Sequence, residues 1–449
     1  MPIKTPKRSG KKESSLAGKI IYSKYFFHFC AAAAITIRLF WILLVDAQPT
    51  GCFKLYYESG LNAAASRLGY STAGQPTAFL PIGYPILLGL TFAVFGPSLL
   101  AAKLMNLLLY LGVIAASYFI AKKLFKSETI GRLTFLVLSF YPNHVAYVSL
   151  TATEILFLFL SLAGMIPLLY RKRQVSAWLL SGAIFGFATL VKPYAIGFLA
   201  LFLLDVWIRG DAGVSRRRSL VLFSAGTAAL ILVLLPWIAR NYVVNHEVVL
   251  LSDGGTNLLI GNNPYATGTY LWDDKVKALI GISGDIQQDN GTASSLESAC
   301  EEAVQDTAGE YERDVKARDY AINYMRDNPV GTLALWPKKL FYSYWSEVDG
   351  ATWNLASVSK PTGFVRGFLL FFGVVSSLAY YAVVLMFLWC LRMFAGESEK
   401  RSFPILGLIV VAYFTLWSLV FFGDLRYHFS VIPWVVMYAA SAAEPYVRR

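Results

Sequence analysis

Glu154, Lys103, Lys192, Arg240 and Arg426 are the polar residues this chain can least easily hide, because each stands near the end of a long apolar run. An ionised side chain at mid-bilayer costs at least about 2.5 to 3.5 kcal/mol, so such residues are expected at a water boundary or in a pair. One carboxylate among four cations suits a definite chemistry. The cations hold an anion such as a phosphate, Arg through a bidentate fork and Lys as a point charge, and the carboxylate moves a proton or orients a cation. The plainer readings are snorkelling for each cation and, for Glu154, a helix-start position beside unsatisfied amides.

Other polar groups accompany these five. Glu154 follows Thr151-Ala152-Thr153 and shares its expected side with Pro142-Asn143-His144. Lys192-Pro193 separates two apolar runs, and Arg240-Asn241 follows Pro236-Trp237. Lys103 lies about 7 Å along its helix from the outer end, and Arg38 about 12 Å inside its own, too deep to snorkel, so Arg38 is expected to have a buried partner. The turn from Gly423 to His428 holds Asp424, Arg426 and His428, and reads either as part of a site or as a solvated connector. The stretch from Gly254 to Pro264, GGTNLLIGNNP, is rich in residues that permit close backbone approach, and reads either as a ligand cradle or as a turn-rich loop. Asp273-Asp274 is compatible with a divalent cation, but two adjacent acids seldom make a site, so no metal ligand is assigned.

The elements that must position these groups are membrane helices. With 56% hydrophobic and 15% charged residues, the chain is too apolar for a soluble domain. Its formal charge of +12 gathers in short loops between apolar runs, as the positive-inside rule expects of cytoplasmic segments, and this argues against nucleic-acid binding. Residues 1–25 are basic and precede an apolar run over 26–45 that reads as a retained signal anchor. About eleven apolar runs of spanning length follow one another along the chain. If all crossed, Lys122-Lys123, Arg171-Lys172-Arg173 and Arg216-Arg217-Arg218 would land outside. The run from Phe79 to Gly96 is broken by Pro81 and Pro85, and is expected to be re-entrant or interfacial.

The expected fold is therefore an all-α polytopic membrane protein of about ten transmembrane helices with a mixed extracytoplasmic loop domain. It divides into a basic N-terminus (1–25), a membrane module (26–240) with a first outer loop at 46–97, an exported loop domain (241–361) and C-terminal helices (362–449). The first outer loop contains an amphipathic interfacial helix around Phe53 to Leu68, and periodicity predicts another helix over Glu310 to Asp327, ended by Asn328-Pro329. Cys52 and Cys300 fall in exported segments, so a disulfide between them and two free thiols are both open.

Taken in order, several of these motifs resemble the C-type glycosyltransferases, in particular the bacterial relatives of protein mannosyltransferases and of lipid A aminoarabinose transferases. The matching stretches are Arg38-Leu39-Phe40-Trp41, the Gln75 to Pro85 segment, Tyr141-Pro142-Asn143-His144 with Thr153-Glu154, Pro236-Trp237 with Arg240-Asn241, Gly261-Asn262-Asn263-Pro264, and Arg426-Tyr427. The resemblance implies a multi-helix fold at the cytoplasmic membrane whose active face is extracytoplasmic. It implies a reaction moving a sugar from a polyprenyl-phosphate carrier to an acceptor there, with membrane lipids as the surroundings. Tyr56, Lys103, Asn143, Lys192, Arg240, Asn241 and Arg426 are then the expected substrate-binding set.

The chain departs from that group at one position. Its members usually carry a basic Asp a few residues before a Tyr in the first outer loop, whereas four residues before Tyr56 stands Cys52. A thiol is a poor substitute for a carboxylate at neutral pH. Asp46, Glu154 and Glu58, in that order, are the expected replacements. A transporter or flippase of a lipid-linked sugar and a catalytically silent family member are the alternatives; no internal repeat of the transporter kind is visible.

Overall fold

The computed structural model describes residues 16–71, 74–210, 214–282, 309–395 and 403–447. Most of the basic N-terminus and Cys300 lie outside them. The described chain is helical, and only two isolated β-bridges, Tyr70 with Pro76 and Thr269 with Gly423, interrupt that character.

The helices in chain order are α1 (Phe26–Leu44), α2 (Gly51–Ala64), α3 (Gly83–Phe95), α4 (Leu99–Phe125), α5 (Glu128–Phe140), α6 (Glu154–Arg171), α7 (Val175–Val191), α8 (Phe198–Arg209), α9 (Arg216–Asn245), α10 (Gly254–Gly261), α11 (Glu310–Asp327), α12 (Trp336–Tyr344), α13 (Asp349–Ser357), α14 (Gly363–Ala395), α15 (Leu406–Val420), α16 (Leu425–Phe429) and α17 (Ile432–Val447). Among the described residues, five helices are long and apolar enough to cross a membrane alone: α1, α4, α6, α9 and α14. The shorter apolar helices α5, α7, α8, α15 and α17 pack among them, and the bundle thus uses the ten apolar runs left after the 79–96 run is set aside. That run gives α3, which at 13 residues rises about 20 Å, short of the hydrocarbon core, and lies against α2.

The helix ends fall into two groups. At one end Lys123 lies over the Tyr170 ring at 4.9 Å, Tyr170 donates to the Phe119 carbonyl at 3.1 Å, and Trp207 donates to Ser219 at 2.9 Å. The basic clusters around 122, 171 and 216 therefore share one end, and Glu154, Lys192 and the 424–428 turn share the other. α7 and α9 pack closely. A Cβ on Gly182 would come 2.0 Å from the Gly226 carbonyl oxygen, so the glycines let two backbones meet as small residues do between membrane helices.

Arg38 is fully buried and has the partner its depth requires. It donates to the carbonyls of Ser139 (2.9 Å) and Leu138 (3.4 Å), and its guanidinium lies 4.1 Å from the centre of the Tyr110 ring. Those carbonyls belong to the last turn of α5, where backbone acceptors are unsatisfied and the helix dipole is negative. The cation caps a helix that stops halfway through the bundle at Tyr141-Pro142.

Outside the bundle, α10 and α11 enclose a small core of Leu259, Val276, Ala317 and Ala321. Residues 310–327 form the helix that periodicity predicts, with Ala317 and Ala321 on its buried face. This unit is tied to the segment before α3. Glu310 accepts from the Thr77 hydroxyl (2.8 Å) and the Ala78 amide (2.7 Å), and the Ser252 amide donates to the Ala78 carbonyl at 3.0 Å. Cys52 is disulfide-bonded while Cys30 and Cys390 are free, so the reading of Cys52 as a thiol is corrected.

Candidate active site

Glu154 is the first residue of α6, and its side chain is 4% exposed. Its Oε1 accepts from Lys192 Nζ at 2.9 Å. Lys192 is delivered there by local sequence. The following Pro193 disfavours helical backbone at 192, which is extended (φ −146°, ψ 119°), so α7 ends and its last side chain turns toward the site. Gly83 secures the fit, since a Cβ there would lie 2.8 Å from the Val191 amide nitrogen.

Arg426 stands opposite. Asp424 caps α16 by accepting from the Arg426 amide (2.8 Å), and also receives Arg426 Nε (3.2 Å) and Nη2 (3.1 Å). Arg426 and the Lys192–Glu154 pair are electrostatic neighbours of that cap, and Arg426 holds the Asp424 carboxyl below the usual carboxylate range. The turn is registered by the segment after α10: the Gly423 amide donates to Gly268 O at 2.9 Å and Thr269 Oγ1 to Gly423 O at 3.1 Å. Asn262 donates to the Val420 carbonyl (2.8 Å), and buried Lys339 donates to Asn262 Oδ1 (3.1 Å) and Leu419 O (2.9 Å). The GGTNLLIGNNP stretch thus forms α10 and a turn that anchors the end of α15, from which Arg426 hangs.

Tyr56, Tyr147, Tyr194 and Tyr427 surround these charges, with Arg426 5.9 Å from the Trp353 ring. Burial pushes the Tyr56 and Tyr427 phenols up, so they are neutral hydroxyls at any physiological pH. Lys192 spends one of its donors on Glu154, and Arg426 keeps Nη1 clear of Asp424. Both cations thus have donors left for an incoming oxyanion.

The other residues singled out from sequence are placed elsewhere. Lys103 is buried, with Asp46 as its electrostatic partner; Asp46 itself is exposed and accepts from Gln48 at 2.7 Å. Arg240 donates to the Thr77 carbonyl (3.2 Å), to Gly69 O (2.5 Å) and to Asn241 Oδ1 (3.0 Å), and so braces the segment between α2 and α3. Glu58 lines a cavity of about 30 Å³ with Tyr70, Ser71 and Thr77. Among the described residues no three His, Cys, Asp or Glu side chains converge as metal ligands, and the Asp273 carboxylate instead caps a short helix through the Val276 amide at 3.0 Å.

A buried network underlies the site. Asn143 Nδ2 donates to Glu347 Oε1 and Asp349 Oδ1, both at 2.8 Å, and its Oδ1 accepts from the Gly350 amide at 2.9 Å. Tyr147 donates to Asp349 Oδ2 at 2.5 Å. His428 Nδ1 donates to Ser343 O at 2.5 Å while Nε2 pairs with Glu347 Oε2, so both ring nitrogens are donors and the ring is an imidazolium. The Glu347 and Asp349 carboxylates and the two hydrogen bonds raise the His428 pKa to about 9 against its burial. Glu347 and Asp349 were not apparent from sequence, since nothing near them marks a contact with residues more than two hundred positions away.

Residues 80–238 match the family model described as dolichyl-phosphate-mannose-protein mannosyltransferase. That segment carries Glu154 and Lys192; Tyr56 and Arg426 fall outside it. No curated protein matches the chain. Among solved structures, the Archaeoglobus fulgidus oligosaccharyltransferase in complex with zinc and sulfate aligns over 94% of this chain and 49% of its own length, at 14% identity and a TM-score of 0.52. Its apo form aligns over 94% and 51%, at 14% identity and 0.51. ArnT from Cupriavidus metallidurans bound to undecaprenyl phosphate aligns over 94% and 78%, at 14% identity and 0.43. The chain spans about half the length of the oligosaccharyltransferase, and the likeness to it is one of fold. Over residues 80–238 the chain is thus similar to the protein mannosyltransferase family, and over most of its length its fold is similar to that of the oligosaccharyltransferase.

Proposed function

We propose that the chain is a membrane glycosyltransferase that moves a sugar from a polyprenyl-phosphate carrier to an acceptor hydroxyl at the outer face of the cytoplasmic membrane. The observation that carries this reading is that Lys192 and Arg426, each paired with its own carboxylate, both act on Glu154 and Asp424 at the end of the bundle opposite the basic loops. A sugar phosphodiester carries one negative charge before transfer, and the departing lipid phosphate gains a second. Cations fixed in advance by Glu154 and Asp424 stabilise that developing charge without reorganising during the reaction. Glu154 is the acid partner of Lys192 in this scheme, and the neutral phenols of Tyr56, Tyr194 and Tyr427 offer hydroxyls to the sugar. The lipid phosphate leaves as a stable anion, so no separate acid is required.

The test uses the full chain in nanodiscs and undecaprenyl phosphate bearing a photoreactive group. Crosslinking is expected in wild type, and Arg426→Gln and Lys192→Met are expected to weaken it at least tenfold, while Arg217→Gln, at the other end of the bundle, leaves it unchanged. Equal labelling of all four proteins would remove the phosphate site and the function built on it.

A further inference from the structure

Three carboxylates have Arg426 as an electrostatic neighbour, and two are already occupied. Glu154 holds Lys192, and Asp424 accepts three hydrogen bonds from Arg426. A carboxylate engaged this way has its proton affinity lowered by the cation and is a poor base. Asp253 is different. Among the described residues no Lys or Arg touches it; its Oδ1 receives only the Asn257 side-chain amide, and the residue is half-buried.

Its position is set from three directions. Ser252 ties it to the first outer loop through Ala78, α10 begins immediately after it, and Asp314 behind it accepts from the Thr256 amide at 2.9 Å. The charged and titratable groups that face it are Asp314, Arg426, Tyr56 and Tyr427. The next residue borders open space, for a Cβ built on Gly254 meets no atom within 4 Å.

We infer that Asp253 is the general base of the transfer reaction, an assignment that rests on the glycosyltransferase reading above. The Asp253 carboxylate takes the proton of the acceptor hydroxyl as that oxygen bonds to the anomeric carbon. The bond from that carbon to the phosphate oxygen breaks, and its electron pair leaves with the polyprenyl phosphate on Lys192 and Arg426. The exported domain thereby supplies a carboxylate beside Tyr56, where the first outer loop has the disulfide-bonded Cys52. Burial and the neighbouring Asp314 push the Asp253 carboxyl up to about 7, with Arg426 opposing, and a base of that strength is matched to work near neutrality.

The deciding experiment measures steady-state transfer by the full chain in nanodiscs. The donors are undecaprenyl phosphate carrying radiolabelled mannose, glucose, galactose or arabinose, and cell-envelope extract supplies the acceptor. Asp253→Asn is expected to lower kcat about a hundredfold or more with little change in donor KM, and to abolish a rise in kcat through about pH 7. Asp253→Glu is expected to keep part of the rate and a displaced inflection. Photolabelling by the donor lipid reports whether each variant is folded. A kcat for Asp253→Asn within threefold of wild type, or an unchanged inflection, overturns the assignment and leaves the glycosyltransferase reading standing. Absence of transfer by wild type from all four donors removes both.

Discussion

Lys192→Met isolates the ion pair on which the site is built. The pair is 2.9 Å long, with side chains 14% and 4% exposed, so at an effective dielectric constant of about 20 its attraction is about 6 kcal/mol. Part of that is not lost in the variant. The freed Glu154 can take up a proton, and Arg426 still acts on it from across the site. The remaining loss should match the cost of leaving one buried ion without its partner, about 3 to 5 kcal/mol. Removing both charges in Glu154→Gln/Lys192→Met leaves no uncompensated ion, so the double variant should be at least about 2 kcal/mol more stable than Lys192→Met alone. Reversible denaturant unfolding in bicelles, followed by tryptophan fluorescence, gives the four free energies of the cycle. A Lys192→Met loss under about 1 kcal/mol with additive effects would refute the buried pair.

Other consequences are independent of that pair. The His428 pKa is raised to about 9 in the fold against about 6.5 unfolded, so its contribution is complete below about pH 6.5 and is lost as pH rises toward 9. That amounts to about 3 kcal/mol across the window, and unfolding free energies of His428→Gln measured against pH should show a flatter decline than wild type. Gly182→Val would drive side-chain atoms into the Gly226 carbonyl and separate α7 from α9; a loss of about 3 kcal/mol or more in the same unfolding assay is expected, and a neutral effect would contradict the packing. A Cys introduced at exposed Lys123 in a background without Cys30 and Cys390 should react with a membrane-impermeant thiol reagent only after the membrane is opened, and labelling of intact cells would reverse the topology.

Legibility followed distance along the chain. The helix over Glu310 to Asp327 could be read to its ends because its face of Ala317 and Ala321 and its stop at Asn328-Pro329 are local. The shortness of α3 was legible from Pro81, Pro85 and a short run, and the need of Arg38 for a partner followed from depth alone. What met Arg38 was not legible, because the acceptors are backbone carbonyls at the end of α5 and have no residue signature. The meeting of Glu154, Lys192 and Arg426 was foreseeable only as far as charge topology places them on one face. Asp253 went unnoticed within a Gly-rich stretch. The groups that act on it are Asp314, sixty-one positions on, and Arg426, which only the fold brings near. For the same reason Asn143 showed its motif but not its partners Glu347 and Asp349.

The central claim is that this face transfers sugar from a lipid phosphate, and the most direct measurement follows one label in sealed proteoliposomes. A polyprenyl-phosphate sugar labelled in both sugar and lipid is supplied with acceptor extract on the outside. The account predicts that sugar label enters the acceptor while an equal amount of lipid label appears as free polyprenyl phosphate, and that Arg426→Gln stops both. Movement of intact doubly labelled donor across the bilayer, with no label in any acceptor, would contradict it and identify a translocator.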